Sequence, residues 1–180
     1  MRILDAVIDL LADGMAEVNH DAVAERTGIS RRTIYRYFVD RQALLAAASE
    51  RVRELAGSRV AFPKSEADLV DTHSIYTGLD RIAPIATLVR STPHGRAMRL
   101  AQKSERQVAY TAAAADAVKA LPKADRRLAT AMLQVLHTTP WLEMRDHWDL
   151  TGEQIGRVTG WAIRTLLADL RSRKGAPLDK

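Results

Sequence analysis

Between Asn19 and Arg41 the sequence NHDAVAERTGISRRTIYRYFVDR places two short apolar stretches on either side of one glycine, each preceded by a residue suited to cap a helix. The side-chain oxygens of Asn19 and Ser30 can accept hydrogen bonds from the otherwise unpaired amides of a first helical turn. Gly28 is the residue best able to take a left-handed backbone turn between the two stretches. This order of signals predicts a helix, a tight turn and a second helix. Upstream, Ile3, Leu4, Val7, Ile8 and Leu11 recur at helical spacing with Asp5, Asp9 and Asp13 on the other side, so residues 2–13 read as an amphipathic helix stopped by Gly14. Downstream, Asp40 opens a fourth helix with a buried stripe of Leu44, Leu45, Ala48, Val52 and Leu55.

The rest of the chain is helical in pattern too, without alternating runs of β-branched residues. Gly57 to Ser65 reads as a connector, and breaks near Gly78, Pro84, Pro93, Pro122, Pro140 and Gly152 predict five or six further helices. The best defined opens on a capping box, Thr151 with Gln154, and runs to about Arg171 with the stripe Ile155, Val158, Ala162, Ile163, Leu166, Leu167 and Leu170. The last residues, RKGAPLDK, read as a frayed tail. The expected fold is all-α: a helix-turn-helix domain over residues 1–47, the fourth helix linking to about 56, and a helical ligand-binding and dimerisation domain over 57–180.

Composition narrows the function. With no cysteine there is no disulfide framework, zinc knuckle or thiol nucleophile. No apolar run approaches the roughly 20 residues of a membrane span, and the acidic N-terminal helix is not a signal peptide, so a cytoplasmic protein without a membrane partner is expected. The net charge of +5 favours polyanions, but residues 1–56 hold 8 basic and 9 acidic side chains. The informative feature is local: Arg26, Arg31, Arg32, Arg36 and Arg41 stand against one acid, Asp40.

A helix turns by about 100° per residue, which sorts the second apolar stretch into two sides. Counted from Ile34, Phe38 returns to the same side and Tyr35 lies towards its edge, whereas Arg32 and Arg36 both fall on the opposite side with Thr33 flanking them. Arg32 and Arg36 therefore face away from the core together, as bidentate partners for guanine in a major groove. Arg31, Tyr37 and Arg41 are assigned to phosphate contact or edge packing, with Asn19 and Ser30 holding the two helix starts.

The segment GISRRTIYRYF followed by DRQALLAA, with ILDAVIDLLADGMAEVNHDAVAERTG before it, resembles the TetR/AcrR family of bacterial regulators. Two positions depart from the family pattern: Arg32 stands where a small residue is common, and Tyr37 where His is common. The resemblance implies phosphate contacts from Tyr35 and Tyr37, anchoring by Arg41, a variable C-terminal ligand domain, and a dimer built by the last two long helices.

The rest of the molecule carries candidate ligand and subunit-contact positions. Tyr76, Met98, Gln102 and Tyr110 mix apolar area with polar groups, as small-molecule sites do. Ile155, Gly156, Gly160, Ile163 and Leu167 suit a dimer seam, since glycines within a helix cost roughly 1 kcal/mol each and allow close approach of another helix; intrachain packing explains them equally well. Glu143 and His147, four apart, do not make the HExxH pattern of a zinc site, and no nucleophile elbow, phosphate loop or dinucleotide fingerprint occurs. No metal, cofactor or catalytic residue is expected. The combined reading is a homodimeric repressor of double-stranded DNA with a palindromic operator, released by a small-molecule effector. The alternatives are a regulator controlled by a protein partner, or a helical enzyme or metal-binding protein.

Overall fold

Twelve helices form among the described residues of the computed structural model, which are 2–13, 18–56 and 62–179. No strand occurs among them. They are α1 (Arg2–Ala12), α2 (His20–Thr27), α3 (Arg31–Tyr37), α4 (Arg41–Ala56), α5 (Glu66–Val70), α6 (His73–Arg81), α7 (Ala83–Ser91), α8 (Pro93–Ala101), α9 (Lys103–Val118), α10 (Lys123–Thr138), α11 (Trp141–Trp148) and α12 (Gly152–Ser172). The stop expected at Gly14, and the connector over its first residues 57–61, lie outside the described residues. Eight helices follow α4 rather than five or six. Proline divides them as punctuation should: Pro84 and Pro93 each occupy a first-turn position, where a missing amide hydrogen costs nothing. Gly78, expected as a break, is buried inside α6.

The helices gather into two units, Met1–Ser58 with Ile82–Lys103, and Arg59–Arg81 with Ser104–Lys180. The segment 82–103, expected with the C-terminal domain, thus packs with the N-terminal helices. Its apolar face supplies the reason: Ile82, Ile85, Leu88 and Val89 lie on the first core, and Met98 is fully buried in it beside residues of α1 and α4. Gln102 is buried there too, where its Oε1 accepts from Ser49 Oγ at 2.9 Å.

In the second unit α12 is the central element and packs on α5, α6, α10 and α11. Its buried stripe is Ile155, Ile163, Leu167 and Leu170, with Val158, Ala162 and Leu166 half-buried. The capping box forms as the sequence predicts. Asp80 of α6 ties two further elements together, accepting from Trp141 Nε1 at 2.8 Å and from the Gly152 amide at 2.5 Å. A carboxylate at that point also meets the partial positive charge at the start of α12. The tail is not frayed over its described length. Leu178 packs against the second core, and its amide donates to Asp125 Oδ2 at 3.1 Å.

Candidate nucleic-acid interface

The geometry of the N-terminal unit is fixed by its caps. Asn19 Oδ1 accepts from the Ala22 amide at 3.0 Å, starting α2. Gly28 ends it in the left-handed region at φ 69°, its amide returning to Ala24 O. A β-carbon there would meet no neighbour, so conformation rather than crowding favours glycine. Thr27 braces the same turn, donating from Oγ1 to Val23 O at 2.7 Å and accepting from the Ile29 amide at 3.2 Å. Ser30 Oγ then accepts from the Thr33 amide at 3.2 Å and starts α3.

On α3, Ile34 is fully buried and Phe38, its C-cap, half-buried, as the helical spacing predicts. Arg32 and Arg36 are both exposed. Arg32 has no hydrogen-bond or ion-pair partner among the described residues, and the Arg36 guanidinium lies over the Tyr37 ring at 5.3 Å. Thr33 is half-buried and its hydroxyl lies 2.8 Å from Ser30 Oγ, so it joins the cap. Arg31 is engaged within the domain. It pairs with Asp21 at 2.9 Å and lies 5.4 Å from the Tyr35 ring centroid. The hydrogen bond with Tyr35, and after it the charge of Asp21, hold its guanidinium above the ordinary arginine value, so it is charged throughout the working range. Arg41 donates from Nε to Val18 O at 3.0 Å, which joins the start of α4 to the start of α2 and leaves the guanidinium's other nitrogens available.

One residue of this surface was missed by sequence reasoning. His20 is buried at the start of α2, stacks on Tyr35 at 4.0 Å with rings 5° from parallel, and donates from Nε2 to Phe38 O at 2.8 Å. It therefore joins α2 to both the middle and the end of α3. A histidine just after an N-cap reads as an ordinary first-turn polar residue. The available signal was the exposed aromatic at Tyr35, which needs a neighbour to hold it.

The four residues expected at a ligand site are divided between the units: Met98 and Gln102 in the first, Tyr76 and Tyr110 in the second. Tyr76 is fully buried and donates its hydroxyl to Leu136 O at 2.7 Å. Tyr110 lines a cleft of about 720 Å³ between α9 and α10, and its hydroxyl lies 2.6 Å from His137 Nδ1. Since His137 Nε2 faces Asp68 O at 3.0 Å, that nitrogen donates and Nδ1 accepts from the tyrosine. Burial, the largest influence, pushes the imidazole's pKa down and keeps it neutral, as this arrangement requires.

The positions expected at a subunit seam are used within one chain. Ile163 and Leu167 are buried in the second core, and Ile155 is fully buried as well. Gly156 and Gly160 lie against the backbone around Val70, Thr72 and His73, where Thr72 Oγ1 donates to Gly156 O at 2.7 Å. Glu143 and His147 form an exposed pair at 3.3 Å on α11.

Residues 3–48 match the family described as bacterial regulatory proteins, tetR family. No curated protein matches the chain. Among solved structures, a candidate transcriptional regulator from Pseudomonas aeruginosa PAO1 aligns over 96% of this chain and 92% of its own with a TM-score of 0.51, and at 19% identity the likeness is one of fold.

Proposed function

From the match of residues 3–48 to the tetR family of bacterial regulatory proteins, we propose that the chain is a homodimeric repressor, released from a palindromic operator by a small-molecule effector. The observation that carries the DNA reading is the joint exposure of Arg32 and Arg36 on a helix capped at its start and anchored through Ile34. Two guanidinium forks on one face suit guanine O6 and N7. Arg41, Tyr35 and Tyr37 flank them as phosphate contacts. Twofold symmetry sets two such faces about one helical turn apart, or a multiple of it.

The seam in this proposal uses surfaces the protomer leaves exposed. Leu128, Met132 and Val135 are 60%, 52% and 42% exposed and follow one face of α10, and Trp161 is 60% exposed on α12. Large apolar side chains repeated along one helix face suit burial against a second copy. Met132→Glu is expected to leave the melting temperature close to the parent's while shifting the protein to monomers in sedimentation velocity. Persistence of the parent's dimer would remove α10 from the seam.

The cleft between α9 and α10 supports effector control, being within the size range of small-molecule sites. The whole reading is tested by selecting bound sequences from a random DNA pool in moderate salt. Inverted repeats with guanines in each half are expected. An unenriched pool would overturn the proposal at its root, and direct repeats would overturn the twofold arrangement.

A further inference from the structure

Charge is distributed unevenly around the α9–α10 cleft. Lys119, Lys123, Arg126 and Arg127 line it, and no acidic residue among the described ones does. Arg126 is held in place by its Nε, which donates to Leu121 O at 2.8 Å, and Lys119 lies 3.4 Å from Asp116. Lys123 and Arg127 have no acidic partner among the described residues. Three of these cations belong to the first two turns of α10 against one acid, Asp125, at an end of the helix where the dipole disfavours positive charge. Pro122, which precedes that helix, supplies no side-chain cap. A solvated basic face would not need to surround a concave, partly apolar surface, whereas here Ala115, Val118 and Ala131 contribute to the same cleft.

We infer that this cleft binds a small organic acid, its anionic head among Lys123, Arg126 and Arg127 and its apolar body against Ala115 and Ala131. An acid head offsets the charge accumulated at the start of α10, and charge-assisted bonds from arginine are the strong members of their class. The Tyr110 hydroxyl is already committed to His137 and the residue is fully buried, so the tyrosine backs the cleft and offers the ligand no donor. The inference deepens the effector reading above and rests on it for the consequence, though not for the binding.

The test uses the full chain and 1-anilinonaphthalene-8-sulfonate as a fluorescent anionic probe, with decanoate and decanol as competitors of equal chain length and different charge. Saturable binding is expected, with decanoate displacing the probe at least about tenfold more effectively than decanol. Lys123→Gln combined with Arg127→Gln is expected to weaken both anions at least about tenfold without lowering the melting temperature, and Arg157→Gln on α12 to leave them unchanged. Equal competition by decanoate and decanol, unchanged affinity in the double variant, or no saturable binding below about 1 mM would each overturn the inference. Operator affinity is measured separately with and without decanoate. Charge-dependent binding that leaves operator affinity unaltered supports the site and overturns effector control.

Discussion

Gly156→Ala is expected to lower the melting temperature by several degrees, even though alanine is the better helix former. Propensity alone favours the alanine by about 1 kcal/mol in a helix interior. The space at this position opposes it more strongly. A β-carbon on Gly156 would stand 2.6 Å from His73 Cα and 3.0 Å from His73 N, and both are backbone atoms that cannot swing aside as a flexible side chain can. Forcing α12 and α6 apart would also stretch the hydrogen bond from Thr72 Oγ1 to Gly156 O. Overpacking of this kind costs about 1–3 kcal/mol and at times more, and each kcal/mol corresponds to about 2–4 °C for a chain of this size. Gly160→Ala is expected to cost less, because its β-carbon would meet Thr72 Oγ1 at 3.0 Å and Val70 O at 3.1 Å. Thermal unfolding followed by circular dichroism measures both. A stabilised Gly156→Ala protein would mean that α6 does not pack on α12 as described.

The same glycines show where the sequence could be read and where it could not. Their spacing of four announced a close helix contact, but nothing local to residues 152–160 states which helix supplies the other side. The partner is the Thr72–His73 backbone, more than 80 residues earlier in the chain, as the Thr72–Gly156 hydrogen bond records. Local signals fared better. The caps expected at Asn19, Ser30 and Thr151 form, and Asp40 caps the helix it precedes, because a cap is decided within four residues. Periodicity likewise placed Ile34 inside and Arg32 and Arg36 outside. It could not place Met98 or Gln102, whose helix reads as amphipathic wherever it docks and joins the first unit through contacts with residues some 50 positions away. The roles of Arg31 and His20 were hidden for a related reason. Each depends on a partner on the neighbouring helix, Asp21 for one and Tyr35 for the other.

In a dimer on a palindromic site each substitution is felt twice, so Arg36→Ala is expected to cost about 2–6 kcal/mol per dimer if each fork reads one guanine at about 1–3 kcal/mol. Affinity for the selected operator would then fall by about 30-fold to about 20,000-fold, while affinity for unrelated DNA changes little and the base preference relaxes at one position in each half. Arg32→Ala is expected to relax a different position, since the two side chains are a turn apart on the same exposed face. Arg41 is the contrasting case. Its Nε is occupied by Val18 O, which fixes the guanidinium at the edge of the interface, so Arg41→Ala should weaken all sequences similarly and reduce the salt slope by about one per protomer. Titrations on operator and unrelated DNA at several salt concentrations separate the two behaviours. If Arg36→Ala weakens both DNAs equally and lowers the salt slope as Arg41→Ala does, then Arg36 contacts phosphate, and sequence reading must rest on Arg32 or on the shape of the operator.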